Sequence, residues 1–187
     1  MKTETLVLTA VLTALVVVFY IISLFVMIGP AQLNLTLIPV VIGGIMCGRR
    51  ISAWLGFVSA VTVLVSPATA LFYGWHVLGT IVTVLLKGCI SGYVAGLVFE
   101  LVGKSRRYLG ILLSAMTCPI VNTGIFILGS LIFFKADMES YYSELMGNGF
   151  MYFLLFVFIG WNFIVEFGGN VLLSPTISKI VDLRKKK

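Results

Sequence analysis

Residues 75–101 read WHVLGTIVTVLLKGCISGYVAGLVFEL, an apolar run that carries one lysine, Lys87, near its middle. The run is long enough to cross a bilayer as a helix, since about 20 apolar residues span a hydrocarbon core of roughly 30 Å. An ammonium group at that depth is costly to bury, and ionisable side chains inside a span commonly belong to a functional site. The run therefore predicts a transmembrane helix, and Lys87 is the first candidate site residue.

The composition extends this prediction to the whole chain. Of its 187 residues, 60% are hydrophobic and 11% are charged, whereas a soluble domain has about 25% charged residues. The apolar segments are long rather than short and alternating, which favours helices over a β-barrel, because backbone groups in lipid must hydrogen bond to one another. We predict an all-α integral membrane protein with a single transmembrane domain, residues 1–187.

Six transmembrane helices are predicted from the apolar runs and the breaks between them. Their approximate bounds are 5–28, 36–48, 51–65, 75–102, 108–134 and 149–183. Gly29 and Pro30 break the chain after the first helix, and the second helix is short for a span. Pro119 and Pro175 are expected to kink the fifth and sixth helices. The polar stretch KADMESYYSELMGN, residues 135–148, is predicted to be a connection.

Basic residues are unequally distributed between the two predicted sides of the membrane. One side receives Lys2, Arg49, Arg50, Lys104, Arg106, Arg107 and the C-terminal RKKK tail, and the other receives Lys135 with Asp137, Glu139 and Glu144. Because cytoplasmic loops carry an excess of Lys and Arg, both termini are predicted to be cytoplasmic. Orientation then explains the net charge of +6, and no nucleic-acid partner is indicated. The connections at 29–34 and 66–75 fall on the outer side.

Three polar residues on three predicted helices share one depth. Lys87, Asn122 and Asn162 each lie roughly 16 to 20 Å from the outer surface, at a rise of about 1.5 Å per residue. Their common depth suggests a ligand cavity that opens outward. The alternative is a structural hydrogen-bond network that holds the bundle together.

Glu166 lies about one turn deeper than Asn162, on the same face of the sixth helix. Its carboxylate could neutralise Lys87 across the bundle, couple to a cation, or face a partner protein. Pairing with Lys87 is the alternative that the sequence favours, because buried charges are normally compensated.

Small residues recur every four positions on two helices. Ala10 and Ala14 form one such pair, and Gly88, Gly92 and Gly96 form a longer series. This spacing lets a second helix approach closely. From the pattern alone, we expect both sets to pack against neighbouring helices of the same chain.

No pattern in the sequence indicates an enzyme, a metal site or a cofactor. Cys47, Cys89 and Cys118 occur singly inside apolar runs and are expected to be small buried hydrophobes. His76 is the single histidine, and no carboxylates are paired for catalysis. Residues 98–105, VFELVGKS, end like a phosphate-binding loop but lack its first glycine and follow a helix. If transport is driven by ATP, another chain must bind the ATP.

The chain as a whole resembles the substrate-binding S component of an energy-coupling factor (ECF) vitamin transporter. The resemblance rests on the 187-residue length, on six predicted helices with cytoplasmic termini, and on the alanine pair Ala10 and Ala14 in the first helix. It also rests on Leu35–Leu64, LTLIPVVIGGIMCGRRISAWLGFVSAVTVL, which is similar to the second and third helices of riboflavin-type and pantothenate-type members.

The resemblance implies a multi-pass protein of the bacterial cell membrane that binds a water-soluble vitamin on its outer side. It implies docking through Ala10 and Ala14 onto a transmembrane T subunit that carries two ATP-binding subunits, so the chain itself would not be an enzyme. In the family the S component is thought to topple within the membrane lipid.

Family ligand contacts come from the loops after the first and third helices and from the last three helices. The candidate residues that occupy these regions here are Asn34, Tyr73, Trp75, Lys87, Asn122, Asn162 and Glu166. For Tyr73 and Trp75, an aromatic belt at the membrane surface is the alternative to a lid over the ligand.

The choice of vitamin depends on Lys87. A buried lysine favours a ligand with a carboxylate, and amide side chains suit hydroxyl and amide groups. Pantothenate meets both conditions, and riboflavin follows, with Lys87 donating to a flavin carbonyl. The alternatives from other classes are a membrane enzyme and a stand-alone secondary carrier, for which inverted repeats would be expected.

Overall fold

The computed structural model describes residues 3–25, 27–28, 31–32, 34–146 and 160–185. Within these residues the chain is helical apart from one small hairpin. Helix α1 spans Thr3–Leu24, and the strands β1, Met27–Ile28, and β2, Ala31–Gln32, pair antiparallel. The first helix was predicted to end at residue 28, and its end lies four residues earlier, because Met27–Ile28 pairs as a strand with Ala31–Gln32.

A single turn separates the next two helices. Helix α2 spans Leu37–Cys47 and α3 spans Arg49–Leu64. Gly48 between them has φ 92°, a left-handed conformation that glycine adopts without a steric penalty. Arg49 and Arg50 therefore begin α3, instead of forming a connection outside both helices.

The connection predicted at residues 66–75 contains helical structure. A 3₁₀ turn spans Pro67–Thr69, and the short helix α4 follows at Ala70–Trp75. This pair of elements bends by 74° away from α3. Helix α5 then spans Val77–Val102, close to the predicted bounds, and the His76 Nδ1 atom caps it by accepting the Gly79 N–H at 2.9 Å.

The polar stretch predicted as a connection at 135–148 is helical as far as it is described. Helix α6 spans Arg107–Gly129, continues as a π-helix over Ser130–Phe134, and leads into α7, Lys135–Met146. The prediction was wrong because polarity was taken as a loop signal, although this stretch is rich in good helix formers and contains no Gly or Pro before Gly147. Pro119 lies inside α6 without ending it.

Helix α8 spans Gly160–Lys185 and continues through Pro175. The first part of the predicted sixth helix, residues 149–159, lies outside the described residues. Among the described helices, three are long and apolar enough to cross a membrane, or four if α3 and the bent segment after it count as one span. The structure thus supports an all-helical membrane protein, and the six-span arrangement stays a prediction.

The glycine series of α5 packs against α3 at very short range, as the spacing predicted. A Cβ atom added to Gly56 of α3 would lie 2.1 Å from the Gly88 carbonyl oxygen. Added to Gly92, it would lie 2.3 Å from the Ser52 carbonyl oxygen, and Gly96 is equally close to the start of α3. The two backbones are therefore in direct contact, which makes α3 and α5 a rigid pair.

This contact gives a prediction for stability. Gly56→Ala should lower the free energy of unfolding by about 1–3 kcal/mol, because the new methyl group meets a backbone atom that cannot move aside. Gly124→Ala in α6 is the matched control, since nothing lies within 4 Å of its added Cβ and alanine favours the helix. In detergent, the melting temperature should fall for Gly56→Ala and should stay the same or rise for Gly124→Ala. Equal melting temperatures of the two variants would contradict the close packing.

Candidate functional site

Lys87 lies on α5 and its ammonium group faces α6. The Nζ atom is 5.0 Å from the centroid of the Phe126 ring, a cation–π contact that offsets part of the cost of burying the charge. Lys87 is half-buried. Among the residues whose side chains are described, none forms a hydrogen bond or an ion pair with it.

Glu166 lies on α8 and is 8% exposed. Its Oε1 atom accepts the backbone N–H of Asn34 at 2.9 Å. Glu166 and Lys87 are near enough for an electrostatic interaction, but no nitrogen–oxygen distance between them is within 4.0 Å. The direct ion pair that the sequence favoured is therefore not formed.

Asn122 lies on the face of α6 that meets α5. It is 5% exposed and sits four residues from Phe126 in one direction and from Cys118 in the other. The Cys118 thiol lies beside the Ser91 hydroxyl of α5, one turn below Lys87. It is also near enough to Glu166 for an electrostatic interaction. Lys87, Asn122 and Glu166 thus lie on three different helices, and their grouping into one site stays a prediction.

Lys87, Asn122 and Glu166 each have a polar group without a hydrogen-bond partner among the described residues. In the described part of the chain, the fully enclosed polar side-chain atoms that have no partner are Thr83 Oγ1, Ser130 Oγ, Asn170 Oδ1 and Ser174 Oγ. Lys87 Nζ, the Asn122 amide and Glu166 Oε2 are not among them, and no described residue is their hydrogen-bond partner. These three groups are therefore the candidate contacts for a polar ligand, and that role stays a prediction.

Asn162 lies in α8, one turn before Glu166, but its side chain is outside the described side chains. Its contribution to the site thus stays a prediction. Asn34 contacts Glu166 through its backbone N–H, which donates to Oε1. Its side-chain oxygen accepts a hydrogen bond from the Thr36 hydroxyl.

The aromatic residues of α4 form a corner above Lys87. Trp75 and Phe72 pack edge to face with centroids 5.4 Å apart, and Phe72 meets Phe126 in the same way at 5.8 Å. The Tyr73 hydroxyl donates to the Leu64 carbonyl oxygen at 3.0 Å, so it fixes the bend after α3. The corner is thereby connected to Lys87 through Phe126, and a lid function for Tyr73 and Trp75 stays a prediction.

The alanine pair of α1 is on the outside of the molecule. Ala10 and Ala14 are both exposed, which corrects the expectation that they pack against another helix of this chain. They line a surface groove of about 490 Å³, together with Trp54 of α3 and other α1 residues: Leu6, Thr9, Thr13 and Val17. The two threonine hydroxyls donate to the carbonyls one turn before them, at 2.7 and 2.8 Å, so the groove is apolar.

Sequence reasoning missed three hydroxyl residues near the site: Ser23, Thr36 and Ser59. Each is at most 3% exposed, and together they hold the segment between β2 and α2. In the sequence each of them is a single Ser or Thr within an apolar run. Such a residue does not indicate which distant helix it contacts. No group of metal-binding side chains is found among the described residues.

Comparison with known proteins yields one match. The family model described as "ECF transporter, substrate-specific component" matches residues 4–178. No curated protein and no solved structure shows significant similarity to the chain.

Proposed function

This chain belongs to the family of ECF transporter substrate-specific components, and we propose that it captures a water-soluble vitamin, with pantothenate the best candidate. Members of this family are transporter subunits rather than enzymes. The vitamin is taken up from the outer side of the bacterial cell membrane and delivered inward.

One observation carries this proposal: within the described part of the chain, the Lys87 ammonium group has no anionic partner in contact. A cation inside a helical bundle is costly unless it is paired, and the Glu166 carboxylate is occupied on one oxygen by the Asn34 N–H. A ligand carboxylate would supply the missing partner through a charge-assisted hydrogen bond. An anionic vitamin is therefore favoured over a neutral one.

The other open groups suit the rest of such a ligand. The Asn122 amide can both donate and accept, and the free Glu166 oxygen accepts from a hydroxyl or an amide N–H. Pantothenate carries a carboxylate, hydroxyl groups and an amide, so it uses all three protein groups. Riboflavin is second, because its flavin carbonyls would accept from Lys87 without neutralising it.

The groove at Ala10 and Ala14 is proposed as the docking surface for the transmembrane T subunit, which carries two ATP-binding subunits. Small residues at a four-residue spacing allow a partner helix to approach closely in lipid. Trp54, 49% exposed, forms the opposite wall of the groove. Because the groove is open and apolar, it fits a membrane-embedded partner.

Both termini are proposed to be cytoplasmic in a six-span arrangement. The Arg49 guanidinium at the α2–α3 turn lies 3.6 Å from the Glu100 carboxylate near the end of α5. Two of the basic turns are thus at the same end of the bundle, as the charge distribution requires.

The proposal is tested by purifying the protein from cells grown in rich medium and identifying any retained small molecule by mass spectrometry. The expected result is stoichiometric pantothenate. A retained riboflavin would correct the vitamin, and a protein that is empty and binds no vitamin on addition would contradict the role.

A further inference from the structure

The exposed residues of α3 form one stripe along the helix. Between residues 49 and 64 they are Arg50, Trp54, Phe57 and Val61, and this spacing places all four on one helix face. The Trp54 and Phe57 rings stack with their centroids 5.7 Å apart. Arg50 is therefore the charged end of an otherwise apolar stripe on the outside of the bundle.

Helix α1 lies beside this stripe and runs in the same direction as α3. A Cβ atom added to Gly43 of α2 would meet the Leu55 side chain of α3 and would lie 3.6 Å from Leu12 Cδ1 of α1, so the last two residues share one level. Ser23 and Ser59, each further along its helix, both contact the segment that leads into α2. The beginning of α1 and the basic beginning of α3 are therefore at the same end of the bundle.

The groove between α1 and Trp54 starts near this end and has the depth of one lipid leaflet. Its α1 wall extends from Leu6 to Val17, which is roughly 16 Å at a rise of 1.5 Å per residue, whereas the whole hydrocarbon core is about 30 Å thick. The hydroxyls of Thr9 and Thr13 are bonded within α1, and space left empty beside these apolar walls would lose van der Waals contacts. A volume of about 490 Å³ with these properties suits a hydrocarbon chain.

Arg50 is available for an anionic group at the end of the stripe. Its neighbour Arg49 is engaged, because the Arg49 guanidinium lies 3.6 Å from the Glu100 carboxylate and 5.5 Å from the centroid of the Tyr93 ring. Among the side chains that the structure describes, none forms an ion pair or a hydrogen bond with Arg50. Glu4, the acidic residue at this end of α1, lies on the face of the helix opposite the groove residues. The positive charge of Arg50 is thus unopposed, and arginine binds phosphate through two parallel hydrogen bonds.

We propose that the groove at Ala10 and Ala14 binds an anionic phospholipid in the free protein, with one acyl chain in the groove and the headgroup phosphate at Arg50. The chain contributes van der Waals packing against α1 and Trp54, and the charge of Arg50 selects anionic over zwitterionic headgroups. A partner helix that docks on the groove must displace this lipid, and that consequence rests on the proposed function. The lipid site itself does not, because it requires only the surface between α1 and α3.

Native mass spectrometry of the full-length protein in detergent tests the headgroup contact. The two probes are dioleoyl phosphatidylglycerol, which is anionic, and dioleoyl phosphatidylcholine, which has the same chains but no net charge. The wild type should bind phosphatidylglycerol about fivefold more tightly, the effect of one basic residue near an anionic headgroup, and Arg50→Gln should bind both lipids equally. Arg106→Gln is the charge-matched control, since Arg106 is exposed in the turn after α5 and lies outside the stripe; it should keep the wild-type preference.

Ala14→Trp tests the acyl-chain contact in the same measurement. The indole group fills the groove, so this variant should lose most of its binding of both lipids. Val11→Trp, on the same helix but outside the groove, should bind them as the wild type does. An equal loss of preference in Arg106→Gln, or unchanged lipid binding in Ala14→Trp, would overturn the site. Neither a vitamin nor a partner subunit is present, so failure of the lipid site and failure of the proposed function are distinguishable.

Discussion

Replacing Ala14 with tryptophan is expected to abolish ATP-dependent vitamin uptake while leaving the affinity for the vitamin near its wild-type value. Ala14 is exposed and lines a groove of about 490 Å³ between α1 and Trp54. An indole group would fill much of this space and hold a partner helix away from the α1 backbone, where close approach provides the packing energy. Ala10→Trp should have the same effect.

Val11→Trp is the matched control for this prediction. Val11 lies on the same helix at nearly the same depth and is 52% exposed, but it does not line the groove. Uptake is measured in proteoliposomes that contain this chain and its T and ATP-binding subunits, and affinity is measured on the isolated chain. Equal losses of uptake and affinity in Ala14→Trp, or equal loss of uptake in Val11→Trp, would exclude a docking role for the groove.

Lys87→Met is expected to weaken pantothenate binding by about 1.5–3 kcal/mol, or roughly 10-fold to 150-fold in Kd, if the ammonium group binds the carboxylate. Methionine is apolar and flexible, so it can fill the space beside Phe126 without a charge. The variant should therefore fold, and its melting temperature without ligand should stay close to that of the wild type or rise, because an unpaired buried charge is removed.

Titration calorimetry on the purified variants measures this effect, with Lys104→Met as the control for loss of one positive charge. Lys104 is exposed in the turn after α5 and should not alter binding. An unchanged Kd in Lys87→Met would mean that Lys87 has only a structural role. It would also remove the main argument for an anionic vitamin.

The repeating parts of this fold could be predicted from sequence, and the parts that depend on contacts between distant residues could not. The series Gly88, Gly92 and Gly96 predicted a close helix contact, because helical periodicity places the three glycines on one face; that α3 is the partner came from the structure. Helix α7 was missed because its polarity resembles that of a loop.

For the candidate site, helix depth alone predicted that Lys87 and Asn122 lie together, and this grouping stays a prediction. The contact between Asn34 and Glu166 was not predictable, because it joins residues 132 positions apart through a backbone N–H that has no signature in the sequence. For the same reason, Lys87 was predicted to be the partner of Glu166. The exposure of Ala10 and Ala14 followed from the family resemblance and not from their spacing, which fits an internal and an external interface equally well.

The most direct test of the account measures binding and uptake side by side in three proteins: the wild type, Ala14→Trp and Lys87→Met. The account predicts that the wild type binds pantothenate on its own but transports it only with its partner subunits and ATP. Ala14→Trp should bind without transport, and Lys87→Met should show weaker binding and weaker transport together. Transport by the isolated chain without partner subunits would contradict the account. Unchanged uptake by the complex that contains Lys87→Met would contradict it as well.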